Sequence, residues 1–453
     1  MRPMTTSTIS LPPHDAALTG ELGTFEGIQR PERRLYSEGA CWATVGGPCA
    51  IPPGSPLTRL PGTWFLDPAS GSLAAAAVPT QAEVDQARHL LATSTLPGRG
   101  TRWEDMAAAA LLDIVVCQVD NGAVIGAPSH FWRYVWIRDT AFIATGLALC
   151  GQVDRAWASL AYVADRIEPD GTWEARYLPD GSHRVPDDRG RQLDGNGWYG
   201  WGVATVAMIT GTTPPPSVST ALEQSLRAAI QIVAADGLPR PSQDYWETDI
   251  DEPVLGVAAP LRAGLVGGAS LVDDELARQC RDTARRLDQG ITEQFGSAGY
   301  PRRLGGGGLD AAVAYLLPPF GPARPDVIAA WRRALDLLSV SNGGWRPGEE
   351  WPDLETAWTP QTSLFALTAA QLSTLDDTTT ADRDLAADIL DWLDARRTAW
   401  GSLPEKVNVD GQPAAVAPIP LVAATVLAAL AALDGRPLPT MTLDQTSPTH
   451  HKE

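Results

Sequence analysis

The stretch Leu421-Val422-Ala423-Ala424-Thr425-Val426-Leu427-Ala428-Ala429-Leu430-Ala431-Ala432-Leu433 places apolar residues at helical spacing, and Ala107–Val116 does the same. Working outward, helix-compatible segments run near 82–94, 103–119, 139–151, 153–167, 195–211, 218–235, 254–269, 272–294, 309–317, 325–340, 357–375, 379–399 and 414–434. That is roughly a dozen helices with no alternation of strand and helix, which argues against a parallel sheet. The loops at 128–138, 169–194, 240–253, 342–356 and 400–413 are long and rich in Trp, Asp, Glu and Gly. Long polar loops recurring on a helical scaffold predict an all-α fold, a closed α/α toroid with one decorated face.

The first 80 residues read differently. Residues 1–15 are polar and Pro-containing, a composition that does not fold by itself. Thr63–Leu73 reads as strand, turn and strand, so residues 1–80 form a small N-terminal segment with short strands. The toroid is expected over 81–437, followed by a flexible tail at 438–453.

Composition narrows the function. The 453-residue chain has 35 Lys and Arg against 54 Asp and Glu, a net charge of −19. That sign argues against nucleic acid or an anionic membrane as partner and suits a neutral ligand such as a sugar. Sixteen Trp supply flat faces for sugar rings, although each one taken alone is more readily a core residue. Five Cys at 41, 49, 117, 150 and 280 and six dispersed His make no metal-ligand spacing. Cys41 and Cys49 could pair, but buried free thiols are the simpler reading. Met1-Arg2-Pro3-Met4-Thr5-Thr6 has neither an apolar core nor a cleavage site, and no apolar run could span a bilayer. The expected location is the cytoplasm.

Five loops carry candidate chemistry. Tyr134-Val135-Trp136-Ile137-Arg138-Asp139 sets a guanidinium beside a carboxylate at a helix start, a donor and acceptor pair that sugar hydroxyls need. Trp173-Glu174 leads through a Pro-Asp-Gly turn to Asp194, which could equally cap a helix. Ser242-Gln243-Asp244-Tyr245-Trp246-Glu247-Thr248 follows a Pro-rich break and precedes a helix. A carboxyl beside an aromatic ring can have its pKa raised by desolvation, which is what a proton donor near neutral pH requires. The remaining two are Gly343-Gly344-Trp345-Arg346-Pro347-Gly348-Glu349-Glu350-Trp351, with Trp358-Thr359 beyond it, and Leu403-Pro404-Glu405-Lys406.

Taken together, these loops resemble the glucoamylase family of inverting exo-glucosidases, its isomaltose glucohydrolase-like members among them. The likeness covers roughly residues 105–435 in the family's order. It implies a toroid of six helical hairpins, with Glu247 as general acid and Glu405 as general base. It also implies a sugar site made by Tyr134, Trp136, Arg138, Asp139, Asp194, Trp246, Arg346, Glu349 and Trp358. Neither a metal nor a cofactor is implied, and the expected partner is a small oligosaccharide. Hydrolysis of α-1,6-linked glucose, or of α-1,4-linked glucose, is the leading expectation. A trehalase and a catalytically silent sugar-binding toroid are the alternatives. Three departures stand out: Trp132 replaces the Tyr that helps hold the attacking water, Thr248 replaces a second Glu after the acid, and the large N-terminal β-sandwich is absent or reduced to residues 16–80.

Overall fold

The structure, a computed structural model, describes residues 81–127, 132–248, 250–375, 380–398 and 401–443, with the dipeptides Trp42–Ala43 and Gly47–Pro48. The described helices are α1 Gln81–Thr93, α2 Glu104–Cys117, α3 Ile137–Leu149, α4 Val153–Ala164, α5 Asp194–Thr210, α6 Pro216–Ile232, α7 Leu255–Gly268, α8 Asp274–Gly290, α9 Pro325–Leu338, α10 Thr359–Leu372, α11 Ala381–Asp394 and α12 Pro420–Leu433.

A helix that is apolar on every side has to be surrounded by protein. Helices α3, α5, α7, α10 and α12 are of this kind, buried along most of their length. They form an inner ring with a short 3-10 helix, Ala311–Leu316. Neighbours in the ring follow chain order, and α12 packs back on α3 to close it. Outer helices present one apolar stripe each; α8 buries Leu276, Cys280, Ala284 and Leu287 at helical spacing and leaves its charged residues outside. In the outer layer α4 and α6 pack on α5, α8 on α7, α9 on the 3-10 helix, α11 on α10, and α2 on α12. The expected α/α toroid of six helix pairs is the observed fold.

The backbones of the inner ring approach closely at α5 and α7. A Cβ on Gly197 would overlap the main chain at Pro260, and one on Gly200 would meet the Gly264 carbonyl oxygen at 2.7 Å. The centre of the ring is filled by aromatic rings: Phe142 lies 5.1 Å from Trp198, 5.0 Å from Trp201 and 5.7 Å from Phe320, centroid to centroid.

Short turns join each inner helix to the following outer one, and long loops lead from each outer helix to the next inner one. All long loops therefore gather over the N-terminal ends of the inner helices. Two-residue strands tie them together. β3 Val135–Trp136 pairs with β4 Arg176–Tyr177, and β5 Ala357–Trp358 pairs with β6 Lys406–Val407, which pairs with β7 Pro413–Ala414.

Two expectations change. The segment 309–317 is a 3-10 helix rather than an α-helix, stopped by Pro318 and Pro319, which have no N–H to continue it. The chain also stays packed past residue 437. Leu438 and Met441 are buried, the Met441 amide donates to Pro319 O at 3.0 Å, and its carbonyl accepts from Arg262 Nη1 at 2.7 Å. In the N-terminal segment, β1 Trp42–Ala43 pairs antiparallel with β2 Gly47–Pro48. The strands expected at Thr63–Leu73 lie outside the described residues. No described helix is long and apolar enough to cross a membrane.

Substituting Gly197→Ala should force α5 and α7 apart and lower stability by ~1–3 kcal/mol or more. A melting temperature unchanged from the parent would show that the two backbones are not in direct contact.

Candidate active site

A cavity of about 640 Å³ opens among the long loops. Its wall includes Trp132, Tyr134, Trp136, Arg138, Asp139, Trp246, Glu247, Trp358 and Glu405.

The Glu247 loop is the most constrained part of the site. Asp244 is fully buried and takes a two-pronged bond from Arg302, at 3.0 and 2.8 Å. The same carboxylate accepts the Trp246 amide at 3.0 Å, and the Asp244 carbonyl accepts the Glu247 amide at 2.9 Å. The Arg302 guanidinium also lies 3.8 Å from the Trp246 ring centroid. Asp310, the cap of the 3-10 helix, accepts from Tyr245 Oη at 2.6 Å and Trp246 Nε1 at 3.1 Å. These bonds hold a tight turn in which Glu247 sits at φ 55°, a left-handed conformation that costs a residue with a side chain on the order of 1–2 kcal/mol. The turn lies several residues before α7, which starts only at Leu255.

The Glu247 carboxylate meets donors rather than an apolar recess. Its Oε1 accepts from Trp136 Nε1 at 2.9 Å and Gln192 Nε2 at 3.5 Å, and its Oε2 pairs with Arg189 Nη1. Gly126 makes room for this Trp136, since a Cβ there would lie 2.8 Å from the indole.

Arg138 and Asp139 belong to the first turn of α3, so neither is a surface residue or a cap. Arg138 donates to Asp194 Oδ2 at 3.0 Å and lies 3.7 Å from Asp139. Asp194 starts α5 from behind the cavity wall, where it also accepts Trp198 Nε1 at 3.1 Å; it orients Arg138 and does not face the cavity. Burial pushes the Asp139 carboxyl up to about 6, against the pull of Arg138.

Glu405 lines the same cavity from a separate, later loop. Its carbonyl accepts from Thr359 at the head of α10 and its amide donates to Val416 O at 2.8 Å. Its side chain is buried, Oε2 has no hydrogen-bond partner, and burial pushes its pKa up against the opposing charge of Lys406. Lys406 rests its ammonium 3.9 Å from the Trp358 ring centroid. Trp358 continues an edge-to-face series through Trp351 to Trp246, with centroids 4.9 and 4.8 Å apart.

Arg346 and Glu349 do not reach the cavity. The Arg346 guanidinium is spent on main-chain carbonyls, Gly348 at 3.1 Å, Glu349 at 2.9 Å and Leu337 at 3.3 Å. Glu349 Oε1 accepts the Leu309 amide at 2.6 Å. Both residues shape the loop that carries Trp351. Sequence reasoning left out Arg176, Asp187, Arg189, Tyr245, Tyr315, Trp351 and Gln361, all of which line the cavity. Tyr245 and Trp351 adjoin motif residues and could have been found by that proximity. Arg176 likewise lies two residues beyond Trp173-Glu174, whereas Arg189 carries no such signal. Among the described residues no group of His, Cys, Asp or Glu is arranged to hold a metal ion.

No family model matches the chain. An isomaltose glucohydrolase from Kribbella flavida is 27% identical over 327 residues, 63% of this chain and 78% of that protein. A glycosidase variant solved in complex with glucose superposes with a TM-score of 0.63 at 19% identity, covering 78% of this chain and 99% of that one. The family 15 glucoamylase of Hypocrea jecorina superposes at 0.61 with 15% identity, covering 76% and 74%. The toroid is the glucoamylase fold. Within this glucoamylase-like chain the cavity on the long-loop side of the ring is lined by Tyr134, Trp136, Arg138, Asp139, Trp246, Glu247, Trp358 and Glu405, while Asp194, Arg346 and Glu349 stand outside it.

Asp310 gives this architecture a pH signature. Burial, with the Asp244 charge added, pushes its carboxyl up to about 7. The unfolded value is ~3.9, so the folded state binds the extra proton between about pH 4 and 7. That contribution to stability is complete below pH 4 and is lost as pH rises through 7. In Asp310→Asn the decline of stability across this window should be shallower, as read by denaturant unfolding at several pH values. Parallel curves for variant and parent would show that Asp310 is ionised throughout.

Proposed function

We propose that the protein is an exo-acting, inverting glucosidase that releases α-linked glucose from the non-reducing end of short oligosaccharides, with α-1,6 linkages of the isomaltose type preferred over α-1,4. The observation that carries this reading is the shared cavity of Glu247 and Glu405, which approach it from separate loops beside the Arg138–Asp139 pair. The wall also holds polar atoms that no protein group satisfies: Glu405 Oε2, Gln361 Oε1, Trp351 Nε1 and Trp358 Nε1. Buried donors and acceptors without partners are costly, and a sugar's hydroxyls supply both kinds.

In this mechanism glucose sits against Trp136, Trp246 and Trp358 with its hydroxyls on Arg138 and Asp139. Glu247 protonates the glycosidic oxygen while Glu405 takes a proton from water on the opposite face of the ring. Inverting enzymes keep the two carboxyls ~6.5–9.5 Å apart so that the water fits between them. A raised pKa strengthens Glu405 as a base and sets the acid limb of activity above the usual carboxylate range. Trp132 has an indole N–H but no acceptor, so it cannot share proton removal with Glu405. The α-1,6 preference draws on the likeness to an isomaltose glucohydrolase and on Thr248 in place of a second Glu after the acid.

Digestion of isomaltose, maltose, trehalose and soluble starch, followed by NMR of the nascent sugar, tests the reading. Isomaltose should be cleaved fastest and give β-glucose first. Release of α-glucose would exclude inversion, trehalose as best substrate would make the protein a trehalase, and binding without cleavage would make it a sugar-binding toroid.

Glu247→Gln should lower kcat on isomaltose by ~10²–10⁴-fold and should cost much less on a glucoside whose leaving group is already acidic. Equal losses on both substrates would remove Glu247 from the role of acid.

A further inference from the structure

The glucosidase reading leaves two guanidinium groups on the cavity wall without a task, Arg176 and Arg189. Arg189 pairs with Glu247 Oε2 and also donates Nε to Asp187 Oδ2 at 3.2 Å. Arg176 donates to the same Asp187 oxygen. The Arg176 side chain is only 8% exposed, packs 4.5 Å from the Tyr134 ring centroid and 5.2 Å from that of Trp136, and keeps a buried Nε–H with no acceptor.

Position follows from Glu247. Its Oε1 accepts from Trp136 and Gln192, which leaves Oε2, held by Arg189 alone, as the oxygen to carry the catalytic proton. A general acid must touch the glycosidic oxygen. Arg189, which now covers Oε2, therefore stands where the leaving group has to arrive. The glucose side is defined by Arg138 and Asp139 in α3.

Charge follows from protonation. A Glu247 that holds its proton no longer balances Arg189. Asp187 is then the one carboxylate touching both Arg176 and Arg189. The other charges of the wall are matched locally: Arg138 by Asp194 and Asp139, and Glu405 by the adjacent Lys406. A neutral aglycone would offer the guanidinium hydroxyl acceptors but no balancing charge, which is unfavourable in a partly buried site. A carboxylate or phosphate would complete it with charge-assisted, two-pronged bonds.

We propose that the leaving-group side of the cavity selects α-glucosides whose aglycone carries a carboxylate or a phosphate, with Arg189 receiving the anion and Arg176 and Asp187 holding Arg189 in place. This rests on the glucosidase reading and names the substrate class of the same site.

The test compares three glucosides whose aglycones share a three-carbon skeleton, α-glucosyl glycerol, α-glucosyl glycerate and α-glucosyl glycerol phosphate, with isomaltose as reference. The full-length protein should cleave at least one anionic glucoside with kcat/KM about tenfold above the neutral one, chiefly through a lower KM. Which of the two is favoured identifies the anion. The ratio should shrink as salt is added, fall to about one in Arg189→Gln, and persist in part in Arg189→Lys. A neutral glucoside cleaved as well as or better than both anions overturns the proposal. So does an anionic preference unchanged in Arg189→Gln, and so does cleavage of isomaltose with no cleavage of the three. If isomaltose and all three glucosides stay intact, the glucosidase reading itself fails.

Discussion

The buried pair Asp244–Arg302 is the interaction on which the site depends. A left-handed Glu247 is unfavourable by itself and persists only when its neighbours are over-determined. Asp244 accepts the next turn's amide and two guanidinium bonds, and Arg302 lies against the Trp246 ring. Asp310 then fixes the two aromatic side chains that precede Glu247. The direction of the Glu247 carboxylate is therefore inherited from a charge pair that never touches the cavity. Removing either partner would leave the other buried and unpaired, a loss of several kcal/mol.

The second constraint is the common direction of the inner helices. Their N-terminal ends lie on one side of the ring, where unpaired amides and the positive ends of the helix dipoles favour anionic groups. Asp139, Asp194 and Asp310 each occupy a first turn or cap there. Burial still raises all three carboxyls, so desolvation outweighs the helix ends and the guanidinium partners. A chain with a net charge of −19 nevertheless places Arg138, Arg176 and Arg189 on one cavity wall. Net charge describes the outer surface; the cavity is electrostatically local.

The tryptophans divide along the same line. Trp173, Trp198, Trp201 and Trp331 are fully buried and serve the core of the toroid. Trp136, Trp246, Trp351 and Trp358 face the cavity. Position separates most of them: Trp198 and Trp201 lie inside α5 and Trp331 inside α9, whereas the cavity residues sit in the connections before inner helices; Trp173 is the exception, a loop residue whose Nε1 donates to Val163 O of α4 at 2.8 Å.

Helix positions and the α/α toroid were legible in the sequence, because burial on all sides demands apolar residues throughout inner helices and one apolar stripe on outer ones. The loops that hold Glu247, Glu405, Arg138 and Asp139 were legible as well, since each is a local run of unusual composition leading from one helix to the next. Which of their side chains face the cavity was settled only by packing. Arg346 looks like a sugar ligand in its motif, yet its guanidinium is turned onto two carbonyls of its own loop and that of Leu337 in α9. Arg176, Asp187 and Arg189 look like solvated surface in a polar loop. They reach the cavity because β3 pairs with β4, drawing the loop after α4 over the start of α3. Local sequence determines where a helix begins and which residues it must bury. A contact between residues more than a hundred positions apart, such as Trp136 with Glu247, depends on closing the ring, and only the tertiary structure decides it.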